Sequence, residues 1–302
     1  MVLITAKSIV QLILLIFTGL IGYKLKLIKR EHLDTVNAIL MHIALPALLL
    51  ESFQSDVLFE GKEILPPALG LSVLLQALSL LLAYIFIRRS PSANIERASV
   101  AFTNNAFVAI PLLSSIFGEI GAFYACAFNA ISSLVFFSVL PAMISGQFSV
   151  KECLIKTFND KLIVCLFAML LLAADIRIPE LLMTPIGWLA DVTTPLAMII
   201  IGCIIGYSDF HHMFNPRVIR ITVLRLFIVP IIICIMFIFM IRSREMLLSF
   251  CVLASTPTAS LVTIYAEQDG LDTSVSSGIF LLTTILSAVS IPLIVLLINM
   301  II

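Results

Sequence analysis

Two stretches of this chain gather hydrogen-bonding residues of neutral charge inside otherwise apolar surroundings. One is TNNAFVAIP, residues 103–111, in which Asn104 and Asn105 precede Pro111; the other is STPTAS, residues 255–260, which holds Thr256, Pro257, Thr258 and Ser260. Asparagine amides and Thr or Ser hydroxyls can donate to a carboxylate without adding a negative charge of their own, as aspartate would. Proline removes an amide donor and clashes with the carbonyl one turn earlier, so each segment is expected to break at its proline. Half-helices starting after Pro111 and Pro257 would aim free N–H groups, and roughly half a positive charge each, into one region. Thr256 suits an N-cap with Pro257 at the first helical position; Ile110 cannot cap, which leaves that work to Asn104 and Asn105. The implied chemistry is reversible capture of a small anion. The competing reading of the asparagines is interhelical hydrogen bonding, worth about 0.6–2 kcal/mol.

Ionisable residues offer less. His42 and Asp191 each lie four residues before a proline, Pro46 and Pro195, and an intramembrane ionisable group is a candidate for proton handling, weighed against structural hydrogen bonding. Arg225 could neutralise an anion or snorkel to an interface. These three are the candidates for coupling or charge. No carboxylate lies within seven residues of Pro111 or Pro257, so a sodium ion there would have to use neutral oxygens. Proton, sodium and uncoupled transport all stay open. The four histidines form neither H-E-x-x-H nor a convincing triad, which argues against an enzyme, a metal or a cofactor. The six cysteines are at least twelve residues apart and read as free, small core residues.

The elements that must position these groups follow from composition. With 61% hydrophobic residues, 12% charged and a mean hydropathy of +1.17, the chain has too little polar surface for a water-soluble globule and is expected to be an all-α integral membrane protein. Nothing in it suggests nucleic acid as a partner; the lipid bilayer is one. Polar breaks divide it into ten spans near residues 7–27, 34–52, 64–87, 97–117, 121–144, 161–175, 185–206, 218–241, 246–266 and 274–301. Lys24, Lys26, Lys29, Arg30, Arg88, Arg89, Arg97, Lys151, Lys156, Lys161, Arg217, Arg220 and Arg225 fall on one side, and Lys7, Lys62, Arg177, Arg242 and Arg244 on the other. The positive-inside rule then puts both termini outside.

Prolines 46, 111 and 141 recur as 195, 257 and 292, at offsets of 149, 146 and 151 residues. Five spans per half is an odd number, so the second half must enter the membrane from the opposite side. Residues 1–147 and 148–302 are thus expected to form two inverted five-helix repeats, an architecture of secondary transporters.

TNNAFVAIP, LRLFIVP (224–230) and STPTASLVTIYAEQDGLD, followed by a last span with Pro292, resemble the auxin efflux carrier family, which includes the plant PIN transporters and bacterial malonate or malate permeases. The resemblance extends over nearly the whole chain. It implies a scaffold of spans 1, 2, 6 and 7, a moving transport domain of spans 3–5 and 8–10, crossed fourth and ninth helices, and elevator-type alternating access. It gives Asn104 the role of the substrate-contacting asparagine and makes Asn159 the counterpart of a second family asparagine. The long hydrophilic central loop of many plant members is missing, so the chain looks like a compact bacterial type in the inner membrane. A homodimer through the scaffold is left open. A channel or a non-transporting sensor on the same fold is the alternative to a carrier.

Overall fold

A computed structural model describes residues 2–60, 62–88, 93–145, 160–207, 213–268 and 273–301. Twelve principal helices order these residues: α1 (Val2–Lys24), α2 (Arg30–Phe53), α3 (Leu65–Phe86), α4 (Ala93–Ala101), α5 (105–117), α6 (119–145), α7 (Asp160–Ala173), α8 (Glu180–Tyr207), α9 (Pro216–Met240), α10 (Arg244–Ser255), α11 (Leu261–Gln268) and α12 (Ser274–Ile301). Helix falls in each of the ten stretches expected from sequence, the fourth and ninth being in two pieces. Six described helical stretches are long and apolar enough to cross a membrane. The fold is that of an all-α integral membrane protein, with no strand among the described residues beyond one isolated bridge.

Local sequence explains where several helices begin and end. Asn215 caps α9, its side chain accepting from the Arg217 amide at 3.0 Å, and Pro216 takes the first position, where its missing N–H costs nothing. The ends of α1 and α7 are alike. Lys26 and Asp175 both have φ of 61°, and each is followed by a residue whose amide reaches back five positions, Leu27 to Gly22 at 3.0 Å and Ile176 to Leu171 at 2.9 Å. This is the Schellman ending. Its two instances are separated by 149 residues, the spacing of Pro46 and Pro195.

Proline has a consistent local effect. Wide, five-residue π turns span Leu40–Ala44, Asn105–Ala109 and Leu224–Ile228, and each stops two residues before a proline: Pro46, Pro111 and Pro230. One extra residue in the turn accommodates the ring that would otherwise press on the preceding carbonyl. Proline at these positions widens the helix and leaves it continuous. Gly118, with φ 62° and ψ −142°, separates α5 from α6, a conformation that glycine alone adopts without strain.

Packing ties distant parts of the chain together. A methyl group on Gly19 would lie 2.1 Å from the Ile199 carbonyl oxygen, and one on Gly202 2.0 Å from that of Ile16, so α1 and α8 meet backbone to backbone, as small residues permit in membranes. Aromatic rings join other helices: Phe53 of α2 packs on Phe123 of α6, and Tyr124 and Phe237 of α9 both pack on Phe250 of α10, with centroids 5.6–6.0 Å apart. Cys126, Cys203, Cys234 and Cys251 are free and buried.

Candidate functional site

The interruption between α4 and α5 meets the interruption between α10 and α11. Thr103 and Thr258 form an antiparallel bridge, in which the Asn104 amide donates to the Pro257 carbonyl at 2.9 Å and the Ala259 amide to the Phe102 carbonyl at 3.0 Å. Two unwound strands of backbone thus satisfy each other where water cannot. Four more carbonyls nearby have side-chain partners. Ser99 O accepts from Thr258 Oγ1 at 2.7 Å, and Ala101 O from Gln76 Nε2 of α3 at 3.2 Å. Val100 O and Thr256 O both accept from Arg225.

Four helix ends are sorted by sign in this arrangement. The C-termini of α4 and α10, negative by their dipoles, are those bonded by Arg225 and Gln76. Residues of the first turns of α5 and α11, at the positive ends, line a cleft together with Met41 and Leu45 of α2 and Asn129, Ser132, Ser133 and Phe136 of α6. The cleft holds about 60 Å³, room for several waters on the scale of roughly 10–15 Å³ each. Asn104 lines it, 4% exposed, and its Nδ2 is buried without a hydrogen-bond partner. Buried amide donors are normally paired, and this one has no partner among the described residues. Asn105 also lines the cleft, its Oδ1 accepting from Thr103 Oγ1 at 2.6 Å, and so does Ser260.

Other expected residues stand elsewhere. The first break lies at residues 102–104, seven residues or more before Pro111, which is buried within α5 and does not line the cleft. The reason is the wide turn at Asn105–Ala109, which absorbs the proline. Thr256 is the C-cap of α10, where an N-cap of the following helix was expected; its hydroxyl turns back to Leu253 O at 2.8 Å. Pro257 and Thr258 build the crossing through backbone and hydroxyl bonds and do not line the cleft. Arg225 is fully buried, so it neither snorkels nor reaches the cleft. His42 and Asp191 are exposed on α2 and α8, and neither lines the cleft. Asn159 lies outside the described residues.

Sequence reasoning missed Gln76, Asn129, Ser132 and Ser133. A signal for the last three existed: in CAFNAISSLVFF they are the polar residues at positions i, i+3 and i+4 of an apolar helix, hence on one face.

Residues 4–152 and 148–295 match the family model described as membrane transport protein. The chain is also similar to an uncharacterized transporter of Methanothermobacter thermautotrophicus, 25% identical over 297 residues, covering 96% of this chain and 97% of that protein.

Proposed function

The chain belongs to the membrane transport protein family, that of the auxin efflux carriers, and on that premise we propose that it is a secondary carrier of small organic anions. The observation that carries this reading is the buried, unpartnered Nδ2 of Asn104, on a residue that lines a cleft bordered by two positive helix ends. A carboxylate supplies the missing acceptor and suits the field. Asn105 and Ser260 complete the wall on the crossing side, and Asn129, Ser132 and Ser133 face them from α6. Substrates in this reading are carboxylates such as malonate, malate or auxin-like acids.

Movement follows an elevator scheme. Helices α1, α2, α7 and α8 serve as the scaffold, and α3–α6 with α9–α12 carry the cleft across it. The hydrogen-bonded crossing favours motion of α4, α5, α10 and α11 as one body, because separating them would expose backbone groups at membrane depth. Met41 and Leu45 of α2 form the apolar wall against which the cleft opens. A homodimer through the scaffold fits this scheme, since it would hold the static helices in place while the cleft moves.

The test is flux in proteoliposomes. Labelled malonate, malate and indole-3-acetate are followed under imposed proton, sodium or potential gradients, with Asn104→Ala as control. Uptake of one acid that the variant loses supports the carrier and the site together. Absence of flux of every acid, with the protein folded and inserted, sinks the anion reading.

A further inference from the structure

Arg225 sits in the wide turn Leu224–Ile228 of α9 with no exposed surface. Its guanidinium donates three bonds: Nε and Nη2 to Thr256 O, at 3.0 and 2.7 Å, and Nη1 to Val100 O at 3.0 Å. Among the described residues no carboxylate pairs with it. A buried cation needs a source of negative potential. Two helix ends supply it, because Val100 lies in the last turn of α4 and Thr256 caps the end of α10. Each C-terminus carries roughly half a negative charge, so the two together match one guanidinium.

In carriers built on broken helices, unwound carbonyls and half-helix C-termini are the groups that hold a coupling cation. Here a covalently attached cation occupies two such carbonyls. We propose that Arg225 is a built-in replacement for a coupling cation: it joins the two half-helices that precede the breaks and supplies a permanent positive charge, so that anion binding at the cleft requires no sodium. Arg225 is a positioning residue, since it acts on the cleft through the helix ends it holds. Its forked shape matters as much as its charge, because a lysine ammonium is a compact donor that cannot reproduce the planar, two-carbonyl grip. What the charge serves rests on the anion-carrier reading; the replacement of a cation does not, and is measured without any acid.

The experiment compares melting temperatures of wild type, Arg225→Lys and Arg225→Ala in lipid nanodiscs. Each is measured in sodium, potassium and choline chloride of equal ionic strength, with and without millimolar methylguanidinium. Wild type is expected to melt at one temperature in all three salts. Arg225→Ala is expected to melt lower and to recover part of the loss in sodium or methylguanidinium, but none in choline; Arg225→Lys falls between. Flux of the transported acid should be equal in sodium and choline for wild type, lost in Arg225→Ala, and partly restored by the cations that restore melting. Sodium-dependent melting or flux of wild type overturns the proposal, as does an Arg225→Ala protein that melts lower yet ignores every cation, or one that melts like wild type. Should neither variant fold, the wild-type comparison decides alone, indifference to sodium upholding the proposal. The expected melting pattern without flux of any acid would overturn the anion reading and uphold this one.

Discussion

Asn104 is bound to Pro257 through its backbone, at 2.9 Å, while its own side-chain Nδ2 is buried and unpartnered. One residue therefore separates two features: the main chain locks the crossing, and the side chain, on a residue that lines the cleft, is left with an unsatisfied donor. Replacing the side chain should leave the lock intact.

Asn104→Ala is accordingly expected to lower affinity for the transported acid with little loss of stability. A hydrogen bond to a charged group contributes about 1.5–3 kcal/mol, and 1.4 kcal/mol is about tenfold, so the Michaelis constant for uptake should rise by about tenfold or more. Asn104→Asp should be worse than Ala, since it places a negative charge where the acid binds. Uptake kinetics and melting temperature, measured on the same preparations, check both statements. A variant that melts far below wild type would mean the side chain holds the fold.

How much of this was legible beforehand depends on which physical signal each residue leaves in the sequence. Asn104 and Pro257 are conspicuous because a membrane interior tolerates polar side chains and unwound backbone only under protection, so their placement near one another could be anticipated. The exact break could not. The rule that proline ends a helix points to Pro111, but a single extra residue in the turn Asn105–Ala109 removes the conflict and moves the interruption to residues 102–104. Thr256 misled for a related reason: a threonine before a proline looks the same in sequence whether it ends one helix or begins another. The polar breaks place Arg225 in the first third of its span but cannot say whether its side chain reaches lipid headgroups or the carbonyls of two other helices, because those contacts lie 31 and 125 residues away. Asn129, Ser132 and Ser133 could have been read as a polar face, and Gln76 as a lone intramembrane amide in need of a partner.

Thr258 tests the crossing apart from the cleft. Its hydroxyl donates to Ser99 O at 2.7 Å, and both residues are fully buried or nearly so. Thr258→Val keeps the shape and strands that carbonyl, at a cost of about 1–3 kcal/mol. Thr258→Ser keeps the hydroxyl and loses a methyl group, worth about 0.8 kcal/mol. Valine should thus lower the melting temperature more than serine. The reverse order would show that the site values the methyl contact over the hydrogen bond.

Three glycines separate three ways in which a missing Cβ can matter. At Gly202 of α8 the added methyl would lie 2.0 Å from the Ile16 carbonyl oxygen, so Gly202→Ala must push α1 away and should cost about 1–3 kcal/mol, the range for overpacking. At Gly118 the methyl meets nothing within 4 Å, but φ is 62° with ψ −142°; Gly118→Ala should cost about 1–3 kcal/mol from backbone strain alone. At Gly70 of α3 neither penalty applies, since nothing lies within 4 Å and φ is ordinary, and alanine is the better helix former by up to about 1 kcal/mol. Gly70→Ala should therefore melt at or above the wild-type temperature, and the other two below it. A second change tells the two losses apart. Gly202→Ser should melt below Gly202→Ala, because a larger side chain must push the α1 backbone farther away, whereas Gly118→Ser should melt close to Gly118→Ala and no neighbouring truncation should rescue either, because their penalty lies in the backbone φ. Rescue of Gly118→Ala by a truncation nearby would show that crowding, and not backbone conformation, requires glycine between α5 and α6.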